Sequence, residues 1–271
     1  MSPSTFADRL NRPLAARGML TVERRRRIAG MVAAQGSLRV RQLSRKFGVS
    51  EVTIRTDLEA MAHDGLLIRS HGGAVARSDT PLSTAYDVRA REHLEAKRRI
   101  ARAAVAMLQP GETVILDAGT TLMELARVIP SDLPLTVITN ALNIATCLAA
   151  APKRHVIVTG GSLSPETIAT VGPLAEESLG TLVADKLFLS AQAVDPVLGL
   201  TDVSPDVARI KRAMIGSARQ VILLADSSKW RQTATARVVP LEMVHEFVTD
   251  EAFPTADARR LTRNGTRVRR V

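Results

Sequence analysis

The sequence predicts an α/β protein in two parts: a small head of short helices and a hairpin, then a larger, mainly parallel α/β body. Three observations carry that expectation. Beyond Thr113, short β-branched or apolar runs alternate with helical stretches, as for strands buried on both faces of a parallel sheet. Before Ala62, apolar residues recur at helical spacing in three short blocks that Gly36 and Gly48 punctuate. The charge is also uneven. Up to Arg77, 14 Lys and Arg stand against 6 Asp and Glu; the rest has 23 against 21, and the whole chain is formally +10.

At 271 residues the chain is long enough for a substantial core. A basic head on a nearly neutral body points to a polyanion partner for the head. The single Cys147 lies in the apolar run ALNIATCLAA and reads as a small buried side chain; it excludes an intramolecular disulfide and any multi-cysteine metal site. No apolar run reaches the about 18 residues of a membrane span, and the N-terminus lacks a continuous apolar segment, so a cytoplasmic protein with no membrane partner is expected. Residues 1–18 are expected as a disordered extension, with Met19 as an alternative start.

Within the head, expected over 19–77, Ile28, Met31 and Val32 mark the first helix, and Val40, Leu43 and Phe47 the second, which Gly48 stops. Ser50 then caps a third, with Val49 stapled to Ile54 and a buried stripe of Ile54, Leu58 and Met61. Glu51, Val52, Thr53, Arg55, Thr56 and Glu59 are left facing outward. Two short helices around a tight turn form a helix-turn-helix, whose second helix enters the DNA major groove. The following GLLIRSHGGAV reads as a hairpin tipped near Gly72-Gly73, with Arg69 and His71 set to meet phosphates or the minor groove. The predicted DNA-contacting set is Ser50, Glu51, Val52, Thr53, Arg55, Thr56, Arg69 and His71, on double-stranded operator DNA.

VSEVTIRTDLEAMAHDGLLIRSHGGAV resembles the signature of the DeoR family of bacterial transcriptional regulators, which carry an N-terminal winged helix-turn-helix. One position departs from it: Thr56 stands where the family commonly has a second Arg.

Residues 78–92 read as a linker and 93–271 as the sensing body. AYDVRAREHLEAKRRIARAAVAML is a helical run with Ile100, Ala103, Ala104 and Met107 inward and its charges on a solvated face. Six strands are expected, in TVILDA, LTVITN, HVIVTGG, DKLFLSA, QVILLAD and HEFVTD, with helices in TLMELARVI, ALNIATCLAA and PDVARIKRAMIGSA. Ligands of such folds collect at the carboxyl ends of the strands. There, Gly119 allows close backbone approach, and Thr120 and Thr121 offer hydroxyls and amides to an anion; Lys211 and Lys229 are candidate counter-charges.

The body resembles the DeoR-family sensor domain, similar in fold to ribose-5-phosphate isomerase and glucosamine-6-phosphate deaminase, through LDAGTTLMELA, VITNALNIA, VTGG, KRAMI and VILLADSSKW. The resemblance implies a phosphorylated-sugar effector in a pocket lined by Asp117, Gly119, Thr120, Thr121, Asn140, Gly160, Gly161, Lys211, Asp226 and Lys229. Ser190 and Ala193 replace family glycines. Val207 and Arg209 stand where an acidic residue commonly precedes the lysine of KRAMI, with Asp206 one residue away. The expected function is a repressor of a carbohydrate-use operon acting as a dimer or tetramer. A sugar-phosphate isomerase or deaminase fused to the head is the alternative. No cofactor, metal or catalytic residue is expected.

Overall fold

A computed structural model describes residues 20–35, 37–64, 66–70, 72–76 and 84–271. The chain divides into two units, Met1–Asp79 and Thr80–Val271. The extension expected over 1–18 and the contact expected at His71 lie outside the described residues.

In the head, helix α1 (Thr21–Gln35) is followed by strand β1 (Ser37–Arg39), α2 (Val40–Phe47), α3 (Glu51–His63), β2 (Leu67–Ser70) and β3 (Gly73–Ala76). Gly48 closes α2 at φ +63°, where a side chain would be strained, and Ser50 starts α3 by accepting from the Thr53 amide at 3.1 Å. The apolar stripes of the three helices meet: Ile28, Leu43, Ile54, Leu58 and Met61 are each fully buried. The hairpin β2–β3 gains a third strand the sequence did not announce, because β1 pairs antiparallel with β3 in the order β1-β3-β2.

The body opens with α4 (Thr84–Arg91), inside the stretch expected as linker, and α5 (Leu94–Val105). There follow β4 (Thr113–Leu116), α6 (Thr120–Val128), β5 (Leu135–Thr139), α7 (Leu142–Ala149) and β6 (Arg154–Val158). A hairpin of β7 (Ser162–Ser164) and β8 (Ala169–Val171) leads into α8 (Pro173–Gly180) and β9 (Ala184–Leu189). Next come β10 (Ala193–Asp195), β11 (Gly199–Asp202), α9 (Pro205–Gly216), β12 (Ala218–Leu224) and β13 (Ala236–Val239). The chain finishes with β14 (Glu246–Thr249), α10 (Thr255–Arg263) and β15 (Arg267–Arg270).

Seven strands form one sheet, in the order β15-β14-β12-β9-β4-β5-β6, and every neighbouring pair is parallel. Both faces of the five inner strands, β14, β12, β9, β4 and β5, are buried, and successive residues alternate between them. Ile115, Leu187, Leu189, Val221 and Leu223 pack with α8, α9 and α10; Val114, Leu116, Phe188, Ile222 and Leu224 pack with α5, α6 and α7. That double burial is why the strands read as unbroken apolar runs. All six expected strands are present; β15 was missed because RVRR is a charged edge strand, held by its ladder to β14 and by Arg269 on Glu246 at 2.9 Å.

From β4 the chain winds outward through β5 and β6, then returns to β9 on the other side of β4 and proceeds through β12, β14 and β15. The winding reverses between β4 and β9, and a crevice opens at the carboxyl ends of such a switch point. Among the described residues no helix is long and apolar enough to cross a membrane.

Candidate functional site

The head presents α3. Val52, Arg55, Thr56 and Glu59 are exposed, and Glu51 and Thr53 half-exposed, as the helical spacing requires. These side chains engage one another. Arg55 Nη2 pairs with Glu51 Oε2 at 3.0 Å, and Arg41 of α2 approaches the same carboxylate at 3.6 Å. Arg69 donates to the Arg55 carbonyl at 3.2 Å and lies 3.6 Å from Glu59, while the Thr56 hydroxyl donates to the Val52 carbonyl at 3.2 Å. Ser50 spends its hydroxyl on the cap of α3. Val52, 67% exposed among polar neighbours, is an apolar group suited to a thymine methyl.

Two features of this face were not read from the sequence. Arg39, which ends β1 and caps α2, and Arg41 and Arg45 of α2 are exposed beside α3, and Arg41 and Arg45 share the i, i+4 spacing of one helix face. The second feature lowers the charge available to DNA. Asp57 is buried and holds both Arg24, at 2.6 Å, and Arg25, at 3.0 Å, while Arg27 pairs with Glu23 at 2.6 Å. Three of the four arginines in the run Arg24–Arg27 are thus paired within the head.

In the body, a pocket opens at the carboxyl ends of β4, β5, β9 and β12. It is lined by Asp117, Gly119, Thr120, Thr121, Asn140, Lys211, Asp226 and Lys229, eight of the ten expected residues. Gly160 and Gly161 are not in its lining. Gly161, at φ +122°, instead makes the turn after β6, where a Cβ would come within 2.5 Å of the Val171 carbonyl oxygen.

Asp117 and Lys211 form a buried ion pair at the switch point. Ser190, at the end of β9, closes the pair. Its amide and hydroxyl donate to Asp117 Oδ2 at 2.9 and 2.7 Å, and Lys211 Nζ reaches Ser190 Oγ at 2.8 Å and its carbonyl at 3.0 Å. Gly119, at φ +139°, passes the same serine; a Cβ there would meet Ser190 Cβ at 3.1 Å. The Ser190 side chain therefore fills the floor of the pocket. Ala193 is buried in β10 and is not in the lining. Asp206 pairs with Arg209 on the exposed side of α9, and Asp202, not Asp206, approaches Lys211, at 3.9 Å.

Gly119 is the N-cap of α6 and supplies no side chain to its first amides, so those of Thr120 and Thr121 are open to an anion. Lys229 is half-buried and unpaired with any carboxylate among the described residues. Two buried polar atoms of the lining lack partners: Asn140 Oδ1, whose amide nitrogen donates to the Thr170 carbonyl at 2.9 Å, and Thr167 Oγ1.

The lining also includes Arg89 of α4, Lys97 of α5, and Glu166 and Thr167 of the β7–β8 turn, none of them anticipated. Lys97 was expected on a solvated face but is buried, and burial pushes its ammonium below the ordinary lysine range. Its position gave a signal. Lys97, Ile100, Ala101 and Ala104 fall at i, i+3, i+4 and i+7, so the lysine lies on the apolar stripe. Asp57 likewise lies on an apolar stripe, with Ile54, Asp57, Leu58 and Met61 at i, i+3, i+4 and i+7.

Residues 24–80 match the DeoR-like helix-turn-helix domain and residues 92–251 the DeoR C terminal sensor domain. The chain is 39% identical to the HTH-type transcriptional regulator GlpR of Haloferax volcanii, over 89% of this chain and 94% of that protein. It is 30% identical to the HTH-type transcriptional repressor CsqR of Escherichia coli, covering 85% and 88%. With the L-fucose operon activator of Haemophilus influenzae it shares 32% identity, covering 82% and 89%. Among solved structures, ribose 5-phosphate isomerase A of Methanocaldococcus jannaschii aligns over 51% of this chain and 55% of that one. Its 15% identity and TM-score of 0.39 are too low to bear on ligand or activity. With a helix-turn-helix head matched to one DeoR domain and a strand-end body matched to the other, the chain belongs to the DeoR family of transcriptional regulators.

Proposed function

We propose that this regulator is a cytoplasmic repressor of a carbohydrate-use operon, and that a phosphorylated sugar in the body pocket sets its affinity for operator DNA. The observation that carries the reading is the coincidence, in one switch-point pocket, of the uncapped start of α6 with two orphaned buried oxygens. The phosphate would sit on the amides of Thr120 and Thr121 and the Thr120 hydroxyl, with Lys229 as a counter-charge. Sugar hydroxyls would donate to Asn140 Oδ1 and, as donor or acceptor, meet Thr167 Oγ1. Carbohydrate use as the controlled process draws support from the relative named for the L-fucose operon.

Regulation and not turnover is the reading for Asp117 and Lys211. The carboxylate accepts from Ser190 and Lys211 together, which occupies the groups that would have to act as base and acid on a bound sugar. Binding as a homo-oligomer follows from the short reach of α3, since one recognition helix reads only a few base pairs and two copies double the contacts. Sedimentation that finds only monomer at micromolar protein, with and without operator, would contradict it.

Titration calorimetry of the full chain with a panel of sugar phosphates and their unphosphorylated forms tests the pocket. One phosphorylated member should bind, and Thr120→Ala should weaken it without lowering DNA affinity. Binding that ignores the phosphate would refute the reading.

A further inference from the structure

Two lysines line the pocket from buried positions, and only one has its charge matched. Lys211 rests on Asp117. Lys97, 4% exposed, has no carboxylate partner among the described residues; its Nζ donates to the Glu92 carbonyl at 2.6 Å and to the Arg89 carbonyl. A buried ammonium held by backbone dipoles alone is poorly compensated. Asp226 and Glu92 favour its charge through space, while Lys229 and Arg89 oppose it. An ammonium has three donors, and two carbonyls leave one.

The carbonyls it holds belong to Arg89, in the last turn of α4, and to Glu92, the residue that follows the helix. That helix turns into α5 through His93, whose φ of +50° is a left-handed conformation uncommon for a side chain. Lys97 thus ties together the two arms of a strained corner. Two more bonds dock α4 on the body: Arg89 Nη2 to the Glu166 carbonyl, in the turn that also carries Thr167, and Asn143 Nδ2 to the buried Tyr86 hydroxyl at 2.8 Å. Residues 77–83 connect α4 directly to β3 of the head.

We propose that Lys97 receives the anionic group of the pocket ligand, and that its bonds to the Arg89 and Glu92 carbonyls make it the relay by which an occupied pocket clamps α4. The inference rests on the phosphate reading of the pocket given above. An anion on the third donor holds the ammonium charged and in place, which strengthens both carbonyl bonds. Arg89, in the same lining, is drawn to the same anion. Clamping α4 fixes the point from which the chain leaves the body for the head, so the two ligands become coupled through one element.

Hydrogen–deuterium exchange of the full chain, with and without ribose 5-phosphate, glucosamine 6-phosphate and inorganic phosphate, tests this. With at least one phosphate compound, amides of 119–122 and of 84–91 should both slow, the latter by about tenfold. Lys97→Met, which keeps the apolar stem but no donor, should speed exchange in 84–91 without ligand and abolish the slowing with it. Lys97→Arg should retain part of it. Amides of 219–224 report whether each variant is folded, and if Lys97→Met is not, the wild-type comparison still decides. Slowing at 119–122 with none at 84–91 would overturn the relay and leave the pocket reading standing. No slowing anywhere with any compound would overturn both.

Discussion

Arg55 in the head and Lys211 in the body are both cations that the sequence singles out for recognition, and each is paired with a carboxylate. The surroundings differ. The side chains of Arg55 and Glu51 are 51% and 37% exposed, whereas those of Lys211 and Asp117 are 4% and 2%. Water screens the first pair, so its contribution is at most about 1 kcal/mol and Arg55 can exchange its partner for a phosphate or a base at little cost. The second pair has no water to fall back on, and removing either partner strands a buried charge. A cation suited to a changing partner stays at the surface; one that is buried and matched belongs to the scaffold. By that test Lys211 shapes the pocket floor, and the proposed anion falls to Lys229, Arg89 and the unmatched Lys97.

Breaking the buried pair should have the largest effect. Lys211→Ala leaves Asp117 buried and uncompensated, and should destabilise the body by about 3–5 kcal/mol in urea unfolding. A loss below about 1 kcal/mol, the value of an exposed pair, would erase the contrast. Asp57→Ala removes the carboxylate under Arg24 and Arg25 in the head. Since the Arg25 side chain is 31% exposed and can turn to water, a smaller loss of about 2–3 kcal/mol is expected, read from thermal unfolding of the head. Arg55→Ala should leave both units folded and weaken operator binding by about 1–3 kcal/mol, with part of the loss independent of sequence. Unchanged binding would mean that α3 meets DNA by another face. The smallest effect is expected for Glu51→Gln, which frees Arg55 and Arg41. Affinity for non-specific DNA should rise by about 0.2–1 kcal/mol and the salt dependence should steepen, both measurable by anisotropy.

The fold was legible where burial writes a local pattern. Ile54, Leu58 and Met61 fix α3, and the doubly buried strands β4, β5, β9, β12 and β14 stand out as apolar runs. β1, only three residues long, exists because β3 pairs with it, and β15 because β14 does; neither has a pattern of its own. The same division holds for the pocket. Gly119, Thr120 and Thr121 follow a strand in sequence and were found from that alone. Arg89, Lys97 and Thr167 come from α4, α5 and the β7–β8 turn, and only the fold brings them to one lining. Lys97 and Asp57 could still have been recognised: a charge on an otherwise apolar helical stripe is buried, and a buried charge needs either a partner or a ligand. Asp57 has two arginines opposite it, whereas Lys97 has backbone carbonyls and no carboxylate among the described residues.

The most direct test of the sensing account is the fluorescence anisotropy of the full-length protein on DNA from its own upstream region, at fixed salt, with sugar phosphates added one at a time. A hundredfold change in operator affinity needs about 2.7 kcal/mol of coupling, within reach of one phosphate site. The account predicts that one phosphorylated sugar changes the affinity while its unphosphorylated form does not. Specific binding that no phosphorylated sugar alters would contradict it.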